Sequence, residues 1–234
     1  MSTPVAFAAL FAGVVLWWLL ARHLTTKPWE HAGDTLVAGP AQELPVPAAK
    51  VGLCVFLAVV TALFGLFIAA YFIRMGYAHG HGAKQAIKMN DWRAVRDPPI
   101  LWLNTLLLIA ASMIMQAARN SLAALRAERA KLLLIAGGVL TVLFLAGQLT
   151  AWQQLSNSGY AMAGNPAAAF FYLLTAVHGL HLLGGLVVWA KTLVRWWRPN
   201  VEVIDVSLSV ELSSVYWHYL LLVWLVLFAL LLYT

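Results

Sequence analysis

Six apolar segments, each about as long as a bilayer is thick, occupy most of this 234-residue sequence. A helix needs about 20 mostly apolar residues to cross the hydrocarbon core. Lipid offers the backbone no hydrogen bonds, so such segments must form helices there. The predicted spans are roughly 4–22, 51–74, 100–117, 132–152, 167–190 and 211–233. The sequence therefore predicts an all-α integral membrane protein with about six transmembrane helices.

A polar, proline-containing segment at 23–50 separates the first predicted span from the others. Its prolines prevent one continuous helix there. We predict three parts: an N-terminal transmembrane helix in 1–22, a linker in 23–50 and a five-helix bundle in 51–234. The first span lacks the basic start and cleavage site of a signal peptide, so we interpret it as a retained helix.

The distribution of basic residues predicts the orientation. Lys and Arg number 15 against nine acidic residues, a balance that in a soluble protein would suggest nucleic acid. Ten of the 15 Lys and Arg residues lie in or beside the loops after the first, third and fifth spans, and the other five lie on the opposite side. Basic loops favour the cytoplasmic side. The charge distribution therefore predicts that both termini lie outside, with the loops after the first, third and fifth spans in the cytoplasm or matrix, and it indicates no nucleic-acid partner. We take the membrane to be a bacterial inner membrane, which puts both termini on the periplasmic side.

The acidic residues and the single cysteine disfavour several classes of protein. All the carboxylates lie in predicted loops except that of Glu211, which is placed at the start of the last span. An ion-coupled transporter usually carries an ionisable group within the membrane. A solute pathway built on hydroxyl and aromatic side chains remains an alternative. Cys54 lies inside the second span, so no disulfide framework or thiolate metal cluster is predicted.

Three histidines inside predicted spans are the main candidate sites. His178 and His181, in "AVHGLHLLGG", lie about 60° apart around a helix and share a face. With His218 they number three, too few for the two axial pairs of a di-haem cytochrome b. A single haem or copper site remains possible, but hydrogen bonding between helices is the favoured interpretation. The loop pair His79 and His81 is interpreted as solvated sequence.

Glu211, Ser214 and His218 lie within two turns along one side of the last predicted helix. Two interpretations stay open. The three residues form a polar stripe that faces another helix, or Glu211 is a helix-start carboxylate favoured by the dipole and His218 is unrelated. Tryptophans near the predicted span ends, Trp217 among them, are interpreted as an aromatic belt at the membrane interface.

Four stretches, in order across 51–234, resemble subunit III of the haem-copper cytochrome c oxidases. "PPILWLNTLLLIAAS" is similar to the start of that family's fourth helix, and "LFLAGQLTAWQQL" to its fifth, with a glutamine at Gln148. "AVHGLHLLGG" resembles the sixth helix. "ELSSVYWHYLLLVWLVLF" resembles the seventh, with Glu211, Trp217, His218 and Trp224 at the family's motif positions.

The resemblance implies a non-redox accessory subunit of a terminal oxidase that reduces oxygen with electrons from cytochrome c and moves protons outward. It implies subunit I and other oxidase subunits as partners, haem and copper in those partners rather than in this chain, and bound phospholipid. Larger members have two helices before the five-helix core, whereas this sequence has one, at 4–22.

The resemblance also implies roles for particular residues. Arg195 and Arg198 match positions that lie near phospholipid headgroups. His178 and His181 are implied to hold the last two helices together without a metal, with Glu211 and His218 as further polar contacts.

Three membrane-embedded acids of the family are missing here. Their positions fall at about Val59, Ala151 and Leu221. Roles of those acids in proton supply or in guiding oxygen are therefore not carried over.

Three other functions remain open from the sequence. A related accessory subunit of a nitric oxide reductase would carry the same motifs. A stand-alone small-solute transporter would work without partners, and a haem-binding membrane cytochrome would absorb visible light on its own.

Overall fold

Five long helices form the part of the chain that the computed structural model describes, residues 48–78, 99–158, 165–197 and 203–233. Each is long and apolar enough to cross a membrane, so the described part of the chain has the all-helical architecture of an integral membrane protein. The predicted first span at 4–22 lies outside the described residues. The helices are α1 (Ala48–Ala78), α2 (Ile100–Ala123), α3 (Ala127–Asn157), α4 (Pro166–Trp196) and α5 (Val203–Tyr233).

The helices extend beyond the predicted spans, and this corrects the place given to Glu211. Because α5 begins at Val203, Glu211 lies about two turns inside the helix and not at its start. Hydropathy marks the most apolar part of a helix, so the prediction missed the first turns of α5, in which Asp205, Ser207 and Ser209 alternate with apolar residues. The helix dipole acts mainly within the first turn. The interpretation of Glu211 as a helix-start carboxylate was therefore wrong.

The chain divides into two compact units, residues 1–74 and 75–234. The described part of the first unit consists of α1 up to residue 74. Its buried side chains fall at helical spacing along one face: Leu57, Val60, Phe64 and Tyr71.

In the second unit, α2 packs against α3 and α5, and α4 packs against α5 and α3. A tight turn joins α2 to α3, and its residue Leu125 has a left-handed φ of 57° while its N–H donates to the Leu122 carbonyl over 2.9 Å. So short a connection makes the two helices antiparallel neighbours. At the start of α4, the Asn165 side chain accepts a hydrogen bond from the Ala167 N–H, and Pro166 occupies the first turn.

The core of this unit is built from large side chains set against small ones. Trp217, Trp224 and Phe144 are almost completely buried. Between α3 and α4, the Trp189 indole lies so close to Gly138 that a β-carbon there would clash with the ring. Small residues allow such close approach, which stabilises helix packing inside a membrane.

Candidate functional site

His178 lies in an aromatic cluster where α3, α4 and α5 meet. Its side chain is fully buried, and its ring centroid lies 5.3 Å from that of Trp224 and 6.0 Å from that of Phe144. The Trp224 Nε1–H in turn donates to the Thr105 hydroxyl on α2 over 3.0 Å. This cluster therefore connects residues of four helices around one imidazole.

His181, one turn further along α4, makes a different set of contacts. Its Nδ1 lies 2.7 Å from the Val177 carbonyl of the same helix, so that nitrogen carries the proton. The hydroxyl of Tyr216 on α5 donates to the His181 backbone carbonyl over 2.9 Å. The hydrogen bond from Tyr216 between α4 and α5 thus uses the backbone carbonyl of His181.

A line of polar side chains runs along the contact between α2 and α5. We name it the polar seam, and it consists of Ser112, Gln116 and Arg119 on α2 and Glu211, Ser214 and His218 on α5. Residues three or four positions apart lie on one face of a helix. Because the two helices are antiparallel, residues later in α2 lie beside residues earlier in α5.

Two polar contacts join the helices at the end of the seam where α2 ends and α5 begins. Arg119 Nη2 lies 3.3 Å from Glu211 Oε1, and the Ser214 hydroxyl donates to Gln116 Oε1 over 2.9 Å. The Arg119 and Glu211 side chains are 42% and 30% exposed, so water screens this ion pair and its contribution to stability is small.

The third contact of the seam lies at the midpoint of both helices. His218 Nδ1 is 2.8 Å from the Ser214 carbonyl and 3.2 Å from the Ser112 hydroxyl. A carbonyl can only accept, so we assign the proton to Nδ1. In the neutral ring Nε2 is then an acceptor. The His218 side chain is exposed, whereas those of Ser112 and Ser214 are buried.

A buried amide pair connects α2 and α3. Asn104 Nδ2 donates to Gln148 Oε1 over 3.4 Å, and both side chains are almost fully buried. The Asn104 carbonyl oxygen lies directly against Gly147, where a β-carbon would clash with it. The sequence singled out Gln148 only through the family motif. Its partner lies 44 residues away, a distance that no local pattern reveals.

Tryptophan N–H groups bonded to threonine hydroxyls are a further feature that the sequence did not predict. Besides the Trp224 bond, Trp217 donates to Thr141 over 2.8 Å and Trp152 donates to Thr175 over 3.0 Å. Trp217 is 1% exposed, so its prediction as part of an interface belt was wrong. Trp217 lies six residues inside the predicted span 211–233, whereas interface tryptophans lie at headgroup level. That position could have indicated a tryptophan within the membrane.

Arg195 lies at the exposed end of α4, beside a surface groove of about 530 Å³. Apolar side chains and two cations line this groove: Val187, Ala190, Lys191, Val194 and Arg195. Arg198 lies outside the described residues, as do His79 and His81. Within the described ranges, no three His, Cys, Asp or Glu side chains are close enough to hold one metal ion.

The structure describes all three positions at which the sequence was predicted to lack an acid of the family, and each carries an apolar side chain there. Val59 is exposed on α1, Ala151 is buried on α3, and Leu221 is half-buried on α5.

Comparison with known proteins identifies the family. The model of the family "Cytochrome c oxidase subunit III" matches residues 34–234. This chain belongs to the cytochrome c oxidase subunit III family. A relative from Mycobacterium bovis named "Probable cytochrome c oxidase subunit 3" is 30% identical over 76% of this chain and 84% of its own length.

Two other relatives extend the comparison within subunit III proteins. "Cytochrome c oxidase subunit 3" of Thermostichus vulcanus is 26% identical over 86% of this chain and 94% of its own length. "Heme-copper oxidase subunit I+III" of Aeropyrum pernix is 25% identical over 98% of this chain but only 28% of its own length. The name of that longer relative joins subunit III to subunit I in one polypeptide.

Proposed function

We propose that this chain is the accessory subunit III of a haem-copper terminal oxidase. The complex reduces oxygen to water with electrons from cytochrome c and moves protons outward across the membrane. The observation that carries the proposal is the family match over residues 34–234, together with relatives named as oxidase subunit 3.

Within that complex the chain packs against subunit I and keeps the catalytic core stable during turnover. Haem and copper belong to the partner subunits, and this chain has no catalytic centre. The contacts of the three histidines support a role without a catalytic centre, because each is made to other parts of this chain. The His178 ring packs against Trp224 and Phe144. The rings of His181 and His218 each bond to a backbone carbonyl. The relative that joins subunits I and III in one chain supports subunit I as the neighbour.

We place the protein in a bacterial inner membrane with both termini on the periplasmic side. The excess of Lys and Arg in the loops after the first, third and fifth predicted spans supports this orientation. It puts the α2–α3 turn and the end of α4, with Arg195, on the cytoplasmic side. The N-terminal helix in 1–22 and the linker in 23–50 precede the five-helix bundle.

The groove on α4 binds a phospholipid at the cytoplasmic surface. Lys191 and Arg195 are one turn apart and both exposed, so they can contact one phosphate while an acyl chain lies along Val187 and Val194. Arg198, three residues beyond Arg195, adds a third cation for the same headgroup region.

Replacing both Lys191 and Arg195 with glutamine is expected to weaken the binding of anionic phospholipid by about tenfold or more, since each cation near a headgroup contributes about 1 kcal/mol. Lipid retained by the purified complex is measured by mass spectrometry. The double variant Arg126→Gln/Arg129→Gln is the matched control, because it removes two exposed charges in and beside the α2–α3 turn. Equal lipid loss in both variants would show general surface attraction and no site on α4.

The supporting role is tested by deleting this chain from the oxidase. We expect the remaining complex to start with substantial oxygen-reducing activity and then to inactivate earlier during turnover than the complete enzyme. Unchanged activity and an unchanged lifetime without the chain would contradict the role.

A further inference from the structure

We draw no further inference here: the strongest candidate, the buried carboxamide pair of Asn104 and Gln148 between α2 and α3, leaves Asn104 Oδ1 and Gln148 Nε2 without a hydrogen-bond partner in the part of the chain that the structure describes, but both atoms are completely enclosed by the helix packing, which leaves no room for the water molecule or small polar ligand that would bond to them.

Discussion

Replacing Trp224 with alanine is expected to lower the free energy of unfolding by about 3–5 kcal/mol, the range for removing a buried tryptophan from a packed core. The Trp224 side chain is fully buried, and its ring contacts Phe144, His178 and Phe228. The substitution also removes the donor to the Thr105 hydroxyl. Because α2, α3, α4 and α5 all contribute to this cluster, no single side-chain movement can refill the space.

The effect is measured as a loss of denaturant resistance in mixed micelles, followed by near-ultraviolet circular dichroism. Trp197→Ala is the control, because Trp197 is 60% exposed and its described ring contact is with the Lys131 ammonium group, 5.4 Å from the ring centroid. That contact is worth about 0.5–1 kcal/mol at an exposed site. Equal destabilisation by the two substitutions would show that the aromatic cluster does not hold the helices together.

Replacing Gly138 with alanine is expected to destabilise the contact between α3 and α4 by about 1–3 kcal/mol, as overpacking of a filled core does. The new β-carbon would overlap the Trp189 indole. Trp189 cannot move aside freely, because its Nε1–H donates to the Leu134 carbonyl over 2.8 Å. The expected result is a lower midpoint of thermal unfolding in detergent, with a changed environment for the indole.

Gly184 on α4 provides the matched control for this prediction. No atom lies within 4 Å of the place where its β-carbon would be. Gly184→Ala is therefore expected to leave stability unchanged or to raise it by up to about 1 kcal/mol, since alanine favours a helix more than glycine does. If both alanine variants unfolded at the same midpoint, close packing at Gly138 would not matter.

The sequence was sufficient for the number and type of the described helices, because the length and hydropathy of a span follow directly from the thickness of the bilayer. The sequence was not sufficient to predict the residues at which these helices begin and end. The first turns of α5 mix Asp205, Ser207 and Ser209 with apolar residues and lie before the continuous hydrophobic run, so Glu211 was placed at the helix start. The structure places it opposite Arg119 within the polar seam.

The contacts between helices could not be derived from the sequence. Transmembrane helices are apolar on most sides, so periodicity does not reveal which side faces the bundle. The pairs Asn104–Gln148, Trp217–Thr141 and Ser112–His218 depend on how each helix is rotated about its axis. For the same reason Trp217 was predicted to lie at the membrane surface. The family motifs identified which residues matter but not what they contact.

The central claim, that this chain is a subunit of a haem-copper oxidase, is tested most directly by gentle purification through a tag on the chain. An optical spectrum and identification of the co-purifying subunits follow, and reduction with cytochrome c tests the electron donor. We predict haem absorbance together with a large, histidine-rich subunit and oxygen consumption. A colourless protein that purifies alone would contradict the claim and favour a stand-alone transporter, whereas a partner complex that reduces nitric oxide would identify the other oxidase-like assembly.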